Sequence, residues 1–272
     1  MTRSSVFERV LRVLQRLNPS YFDRALTLAI AAAPAIFVRE ALDVIREPWR
    51  ADLKLPLDRN DVRQFLRFAA PLVPRSAAQF SQDLWALWES GGKRGGYFVE
   101  FGAANGKNLS NTYFLEKHMD WTGIVAEPNP DFAASVSQNR SCIVSHKCVY
   151  SRSHEQVEFL THGTSSRIAS IDPNDGWDRR GGKVVNVETI SLNDLLTEAT
   201  APRDIDFLSI DTEGSEFEIL SHFDFGAWNV RAIAVEHNNT KGRGMIFDLL
   251  TRNGYRRKWP EIGYVDDWYV RL

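Results

Sequence analysis

An apolar segment that ends in an acid and leads directly into a glycine turn most constrains the fold of this 272-residue chain. The segment is Tyr97-Phe-Val-Glu-Phe-Gly-Ala-Ala-Asn-Gly106. Its apolar part predicts a buried strand over residues 97–102, and the pattern after the turn predicts a helix over 109–118. A strand, a glycine turn and a helix in this order form the unit in which α/β proteins commonly hold a nucleotide.

The acid and the glycine spacing indicate which nucleotide the turn suits. Glu100 precedes Gly102 and the next glycine is Gly106, so the G-x-G-x-x-G pattern of dinucleotide sites is absent. A carboxylate here repels a pyrophosphate and attracts a ligand that carries an ammonium and a sulfonium group. We therefore predict S-adenosylmethionine as the cofactor. Besides Glu100, the predicted contacts of the turn are Gly102, Ala103, Asn105, Gly106 and Asn108. The two asparagines are equally suited to capping the helix.

A second acid ends the next predicted strand, over residues 122–127. Glu127 lies about 20 residues or slightly more beyond the glycines of the turn, where an acid in a nucleotide-binding unit accepts hydrogen bonds from the ribose hydroxyls. Glu127 and Pro128 are therefore predicted to contact the cofactor. Val149 and Tyr150 follow the third predicted strand, where the adenine is expected.

The chain continues as alternating strands and helices, which predicts an α/β fold with a mostly parallel, doubly wound sheet. Further strands are predicted at 142–149, 205–211, 230–236, 254–260 and 265–271. Helices are predicted at 81–89, 130–139, 191–199, 215–222 and 243–252. Residues 161–183 are rich in Gly, Ser, Asp and Arg and predict a long loop. Residues 1–75, broken by prolines, predict a helical N-terminal extension to a catalytic domain over 76–272.

Composition limits the partners and the compartment. The formal net charge of −2 gives no electrostatic reason to expect nucleic acid. Cys142 and Cys148 fit neither a zinc site nor a redox pair, so we expect them on one buried face of a strand in a reducing cytoplasm. No transmembrane span is expected. Residues 4–17 form a basic amphipathic pattern that suits a membrane surface, although docking on protein is favoured.

Several motifs together resemble the FkbM-type methyltransferases. They are Gln82-Asp-Leu84, the Glu100-to-Gly106 turn, Glu127-Pro128, Val187-to-Leu196, Ile205-Asp-Phe-Leu-Ser-Ile-Asp-Thr-Glu-Gly-Ser-Glu-Phe-Glu-Ile-Leu220 and Val235-Glu-His-Asn238. The resemblance covers about residues 80–271. It implies a Rossmann-like class I methyltransferase fold, with a seven-stranded sheet that ends in an antiparallel hairpin. It also implies O-methylation of a small molecule, often a sugar or polyketide hydroxyl, and a contact of Gln82 or Asp83 with the methionine end of the cofactor.

Acidic residues end two neighbouring strands of the predicted sheet. Asp211 and Glu213 follow the fourth strand, and Glu236 and His237 follow the fifth. A hydroxyl acceptor needs a general base, a metal or both, because it is a poor nucleophile until its proton is lost. We predict Asp211 and His237 as catalytic residues. Asp211, Glu236 and His237 also form a candidate site for a divalent cation such as Mg²⁺, with helix capping and surface pairing as the alternatives.

The acceptor pocket carries no decisive signature. The segment Gly163-Thr-Ser-Ser-Arg-Ile168 is a candidate acceptor lid, in which Arg167 suits a carboxylate or phosphate, and a solvated loop is an equal alternative. Trp177, Trp259 and Trp268 suit either stacking on sugar rings or plain packing. Three other functions remain open at this stage: an NAD-linked oxidoreductase or epimerase, a nucleic-acid methyltransferase, and a non-catalytic scaffold with a cofactor-shaped pocket. The oligomeric state is also open, a homo-oligomer included.

Overall fold

A computed structural model describes residues 59–69, 71–171, 181–238, 240–260 and 265–272. The predicted amphipathic helix over 4–17, most of the N-terminal extension and Trp177 lie outside these residues. The helices are α1 Arg59–Ala69, α2 Gln82–Glu89, α3 Tyr113–Met119, α4 Ala133–Asn139, α5 Leu192–Glu198, α6 Glu216–Ser221 and α7 Gly242–Arg252. The strands are β1 Tyr97–Phe101, β2 Thr122–Ala126, β3 Ile143–Ser145, β4 Cys148–Tyr150, β5 Gln156–Thr161, β6 Arg167–Ile168, β7 Lys183–Ser191, β8 Asp204–Ile210, β9 Asn229–Glu236, β10 Tyr255–Lys258 and β11 Asp266–Arg271.

Seven of these strands form one sheet in the order β10-β11-β9-β8-β1-β2-β3. The five strands from β9 to β3 pair in parallel, whereas β11 pairs antiparallel with both β9 and β10. The predicted α/β fold, with a mostly parallel seven-stranded sheet and an antiparallel last hairpin, is confirmed. The carboxyl ends of β1, β2, β8 and β9 meet at one edge, which is where open parallel sheets bind ligands.

Successive residues of each strand point to opposite faces of this sheet. In β1, Phe98 belongs to the core on one face and Val99 to the core on the other. The same alternation separates Phe207 from Leu208 in β8. We call the side of Phe98 and Phe207, against which α1 and α2 pack, the α2 face. Both faces bury large apolar side chains, and the central strands are mostly apolar, as expected for a sheet covered on both sides.

An aromatic cluster packs α1 and α2 against the last hairpin of the sheet. Phe65 of α1 lies with its ring centroid 5.2 Å from that of Trp259 and 6.4 Å from that of Trp268. Trp85 of α2 stacks on Trp268 at 5.0 Å. Trp259 and Trp268 are buried, so packing is the role that the structure gives them. None of the described helices has the length and apolar character needed to cross a membrane.

A second sheet, which the sequence analysis did not predict, flanks the predicted loop over 161–183, and β6 is the one strand that the described residues form within that loop. Its four strands lie in the order β4-β7-β5-β6, and β5 and β7 pair antiparallel over six residues from each strand. The prediction of one strand over 142–149 is wrong. The chain leaves the main sheet after β3, and Cys148 begins β4 in the second sheet. Cys142 and Cys148 therefore do not share a face of one strand.

Two helices begin later than predicted. Residues 109–112, expected to open the helix over 109–118, are a loop in which Leu109 has a φ of +64°, and α3 begins at Tyr113. The helix predicted from 130 begins at Ala133. Before α3, the loop is held by contacts with Glu100 that span 10 to 12 residues, which short-range patterns do not reveal. Before α4, Glu127 and Asn129 each accept from the N–H two residues further on and so form a local turn.

Candidate active site

A cavity opens at the carboxyl edge of the main sheet. One wall comes from the ends of β1, β2 and β8, and the opposite wall comes from the second sheet. Five predicted site residues line it: Gly102, Glu127, Pro128, Val149 and Asp211. The residues that sequence reasoning missed are Phe101, Ala104, Ala126, Cys148, Phe159, Thr212 and Ser215.

The glycine turn is shaped by its contact with the end of β8. Gly102 has a φ of +72°, and a Cβ on it would overlap the main-chain oxygen of Asp211. Gly106 has a φ of +76°, and a Cβ on it would lie 3.0 Å from side-chain atoms of Val136 and Arg140. Both glycines are thus required by neighbouring protein atoms, whereas the sequence had suggested close approach to a ligand. Ala104 is left-handed as well, with a φ of +48°, which turns its N–H toward Glu127.

Glu100 lies beneath the turn and holds the loop that follows it. Because successive side chains of a strand point to opposite faces, Glu100 lies on the face opposite Phe101, and Phe101 lines the cavity. Its carboxylate accepts from Ser110 Oγ at 2.9 Å, Asn111 N at 2.6 Å and Thr112 Oγ1 at 2.5 Å. It also pairs with the buried guanidinium of Arg140 at 3.2 Å. The contacts that the structure gives to Glu100 are therefore structural, and its contact with the cofactor stays a prediction.

The other predicted contacts that do not line the cavity are engaged within the protein. Asn105 Oδ1 accepts from Lys107 N and Asn108 N, so this asparagine caps its own turn. Ala103 is buried in the core, Asn108 is exposed, and Tyr150 pairs with Ser191 between β4 and β7.

Gln82 and Asp83 are buried at the start of α2. Gln82 Nε2 donates to Asp266 Oδ2 at 2.5 Å. Asp83 accepts from Ser76 Oγ at 2.7 Å and from Ala77 N at 3.1 Å. Burial raises the pKa of Asp83 to about 6. These contacts tie the segment before α2 to the sheet edge, and a role at the methionine end of the cofactor stays a prediction.

Glu127 lines the cavity with both carboxylate oxygens fixed by main-chain donors. Oε2 accepts from Ala104 N at 2.7 Å, and Oε1 accepts from Asn129 N at 2.9 Å. Because each carboxylate oxygen has two lone pairs, both can still accept from a diol. Burial raises the pKa of this carboxyl group to about 7. Its position between the glycine turn and β2 is the one that the ribose contact requires.

Three carboxyl groups converge where β8 and β9 end. Each of Asp211, Glu213 and Glu236 offers an oxygen within 4.8 Å of the others. Phe207 of β8 and Ala234 of β9 lie on the α2 face. Because side chains alternate along a strand, Asp211 and Glu236, which lie an even number of positions further on, come to this same face. Burial is the largest cause that raises the pKa of Asp211 well above its usual value, and the negative charges of Glu213 and Asp266 raise it further. Burial and the charge of Asp211 do the same for Glu236. Glu236 Oε2 is buried, and no donor among the described residues reaches it.

His237 is not part of this group, which corrects the predicted metal set of Asp211, Glu236 and His237. As the residue after Glu236, it points to the other face of the sheet, and its Nε2 lies 3.7 Å from the buried Asp267. Burial lowers the pKa of His237 to about 4, so the imidazole is neutral near pH 7. Glu213 takes its place in the group. General base catalysis by His237 stays a prediction that this placement does not favour.

The second sheet supplies the far wall of the cavity through Phe159, Ile168 and the loop between β5 and β6. This loop is the candidate lid of the sequence analysis. Arg167 Nη1 donates to the main-chain oxygens of Ile168 and Ala169 at 3.3 Å, and also to that of Ile171. That nitrogen is thus engaged within the protein, and the predicted grip of Arg167 on an anionic substrate stays a prediction. Alternating apolar residues over 156–161 were the sequence signal for this sheet.

Comparison of the chain with known proteins identifies a family to which it is similar. A model of the methyltransferase FkbM domain matches residues 100–257, more than half of the chain. The chain is similar to the solved methyltransferase FkbM from Methylobacillus flagellatus KT, with 12% identity and a TM-score of 0.41 over 77% of this chain and 61% of that one. It is also similar to precorrin-6y C5,15-methyltransferase from Geobacter metallireducens GS-15, with 11% identity and a TM-score of 0.35 over 65% and 71% of the two chains. No curated protein matches the chain.

Proposed function

The chain belongs to the FkbM methyltransferase family, and we propose that it transfers the methyl group of S-adenosylmethionine to a hydroxyl oxygen of a small molecule. A sugar, a glycan or a secondary metabolite is the proposed acceptor class. The observation that carries the proposal is the cavity at the sheet edge, which has the Gly102 turn and Glu127 at one side and Asp211 at another.

The residues of the cavity suit each part of the cofactor. Val149, Phe159 and Ile168 offer apolar surface of the kind that a planar adenine buries. Glu127 offers two fixed oxygens to the ribose hydroxyls. The Gly102 turn and the end of β8 then border the methionine part. When bound, S-adenosylmethionine supplies an electrophilic methyl group on a sulfonium, so that much of the rate depends on holding the acceptor oxygen in line.

Asp211 is the residue to which we assign acceptor activation. It belongs both to the cavity wall and to the carboxylate group with Glu213 and Glu236. The acceptor oxygen bonds to the methyl carbon as the carbon–sulfur bond breaks, and its proton must leave to a base. The three carboxyl groups offer the hard oxygen ligands that a divalent cation such as Mg²⁺ prefers, and a cation there would acidify the hydroxyl. Without a cation, a carboxylate of this group would accept the proton.

We assign the activity to the cytoplasm. The supporting observation is that Cys142 and Cys148 are free thiols, which suits a reducing compartment. The proposed partners are the cofactor and a small acceptor, with no nucleic acid.

Calorimetry with S-adenosylmethionine, S-adenosylhomocysteine and NADH tests the cofactor. Micromolar binding of the two adenosyl ligands without NADH is expected. NADH binding alone would favour an oxidoreductase or epimerase. Tight cofactor binding without turnover across acceptor classes would favour a non-catalytic scaffold.

Asp211 is tested with the Asp211→Ala and Asp211→Asn variants, which should lose at least about a hundredfold in turnover while the fold persists. Glu218→Ala, at a more exposed acid on α6, serves as the control. A wild-type rate in the Asp211 variants would contradict the assignment. Loss of activity with a chelator and recovery with Mg²⁺ would support the cation, and full activity in the chelator would leave the carboxylate as the base.

A further inference from the structure

The loop between β5 and β6 reaches back from the second sheet to the main one. Residues 162–166, here called the hairpin tip, follow β5 and precede the two-residue strand β6. Only two residue pairs join β5 and β6, Phe159 with Ile168 and Leu160 with Arg167. Gly163, Thr164 and Ser166 of the tip line the cavity opposite the glycine turn. A tip held by so short a ladder needs further contacts to keep a fixed position.

Ser166 makes such a contact and uses the full capacity of its hydroxyl group. Ser166 Oγ donates to Gly163 O at 2.7 Å and accepts from His162 N at 2.8 Å, both within the tip. It also accepts from Asn129 Nδ2 at 3.0 Å. One donor and two acceptor positions are all that a hydroxyl offers. The hydroxyl therefore shapes the tip and joins it to the main domain.

Asn129 is the other half of this bridge and is fully buried. Its Oδ1 accepts from Asp131 N at 3.0 Å, which makes a turn at the start of the segment that leads into α4. Its main-chain N–H donates to Glu127 Oε1 at 2.9 Å. One residue thus contacts, on one side, the carboxylate proposed to bind the ribose and, on the other, the wall that faces it.

We propose that Asn129 is a positioning residue that, through Ser166, holds the hairpin tip at a fixed distance from Glu127 and so retains the adenosyl part of the ligand. This inference rests on the proposed function for the identity of the ligand. Asn129 is not among the residues that line the cavity, whereas Ser166 is. A change at Asn129 therefore reaches the ligand through the tip or through Glu127, without loss of a direct contact.

Removal of either partner should loosen the tip. In Ser166→Ala, the buried amide of Asn129 and the N–H of His162 lose their acceptor, and a buried donor without a partner is costly. We expect amide exchange of residues 162–166 to accelerate at least about fivefold in the ligand-free protein. We expect the Kd for S-adenosylhomocysteine to rise about tenfold, mainly through faster dissociation. Ser166→Thr, which keeps the hydroxyl, should restore both values to near wild type.

The experiment is a double-mutant cycle of Asn129→Ala and Ser166→Ala, read by hydrogen exchange without ligand and by S-adenosylhomocysteine affinity. Ser170→Ala, at an exposed serine four residues further along, is the matched control. Because the two side chains share one hydrogen bond and each also makes its own, the loss in the double variant should be smaller than the sum of the losses in the two single variants. Additive losses, or unchanged exchange at 162–166 in Ser166→Ala, would overturn the proposal.

The two proposals fail in different ways. Wild-type protein that binds no S-adenosylhomocysteine would contradict the proposed function, and the exchange cycle would still decide whether Asn129 and Ser166 hold the tip. If amide exchange of the hairpin tip is faster but the affinity for S-adenosylhomocysteine is unchanged in both variants, Asn129 and Ser166 hold the tip without contributing to ligand binding. That result would overturn this inference and leave the proposed function intact.

Discussion

At the scale of single residues, Gly102 sets how closely the glycine turn and the end of β8 approach each other. Its backbone is left-handed and a Cβ would overlap the main-chain oxygen of Asp211. A side chain there would be strained by its φ and would also push Asp211 away. The same small residue therefore affects both the fold and the position of the proposed catalytic acid.

We expect Gly102→Ala to lower the free energy of unfolding by more than about 2 kcal/mol, because steric overlap with main chain adds to the left-handed penalty. Chemical denaturation measures this loss. Gly95→Ala is the matched control, since Gly95 has a φ of +67° with no atom within 4 Å of its Cβ position. Similar losses in both variants would mean that the contact with Asp211 contributes nothing.

The proposed ribose contact of Glu127 would make cofactor binding depend on pH. Burial raises the pKa of this group in the folded chain to about 7 from 4.5. The folded state therefore binds the proton more tightly than the unfolded state between these values. Its contribution to stability is complete below pH 4.5 and is lost as the pH rises through 7. Ribose hydroxyls donate best to the ionised carboxylate, so ligand binding should follow the opposite trend.

We expect the affinity for S-adenosylhomocysteine to increase as the pH rises from 6 to 8, by up to about tenfold per unit below the pKa. Calorimetry across this range measures the change. The Glu127→Ala variant should bind weakly at every pH, because it lacks the two charge-assisted acceptors. An affinity that falls toward pH 8, or a pH dependence that survives in Glu127→Ala, would contradict this role.

At the scale of elements, the loop that follows the glycine turn is held by Arg140, the residue that follows α4. The Arg140 guanidinium is buried and contacts Glu100 at 3.2 Å, Glu116 at 2.5 Å and Thr112 Oγ1 at 2.7 Å. It also lies 5.2 Å from the ring centroid of Phe98. These contacts explain why residues 109–112 form an ordered loop where a helix was predicted: their polar groups point inward to the ion group.

Replacement of Arg140 by Met should cost about 3–5 kcal/mol, because the buried carboxylate of Glu100 would lose its cation and Glu116 would keep only its pair with Lys117. Arg140→Lys should fall between Met and wild type, since Lys keeps the charge and lacks the planar fork. Urea denaturation measures the three proteins. Arg94→Met removes an exposed pair with Asp120 and should change stability little. A comparable loss in Arg94→Met would argue against a special role for burial.

At the scale of the whole molecule, α1 is packed into the same apolar core as α2 and the last hairpin of the sheet. Val62, Phe65 and Ala69 are buried in that core together with Trp85 and Trp268. The part of the predicted N-terminal extension that the structure describes thus shares the core of the catalytic domain. The domain boundary near residue 75 stays a prediction.

Phe65→Ala should lower the free energy of unfolding by about 3–5 kcal/mol through the cavity it leaves among the aromatic rings. Thermal unfolding measures the effect, and S-adenosylhomocysteine affinity should remain near wild type where the variant is folded. Gln64→Ala, at the exposed position before it on α1, should be almost neutral. Equal stability of the Phe65 and Gln64 variants would show that α1 does not contribute to the core.

The sequence by itself determined the α/β class, the strands of the main sheet other than the full extent of β3, and the placement of Glu127 and Asp211 at its carboxyl edge. These features depend on local periodicity and on the rule that parallel strands end together. The tertiary structure alone decided that Glu100 lies under the turn, that His237 lies opposite Glu236, and that the chain leaves the main sheet after β3. It also decided that Phe159, Ile168 and the loop between β5 and β6 form the far wall of the cavity. Each of these features depends on contacts between segments that are far apart in the sequence. Side chains such as Arg140 and Asn129 meet their partners only when those segments pack together.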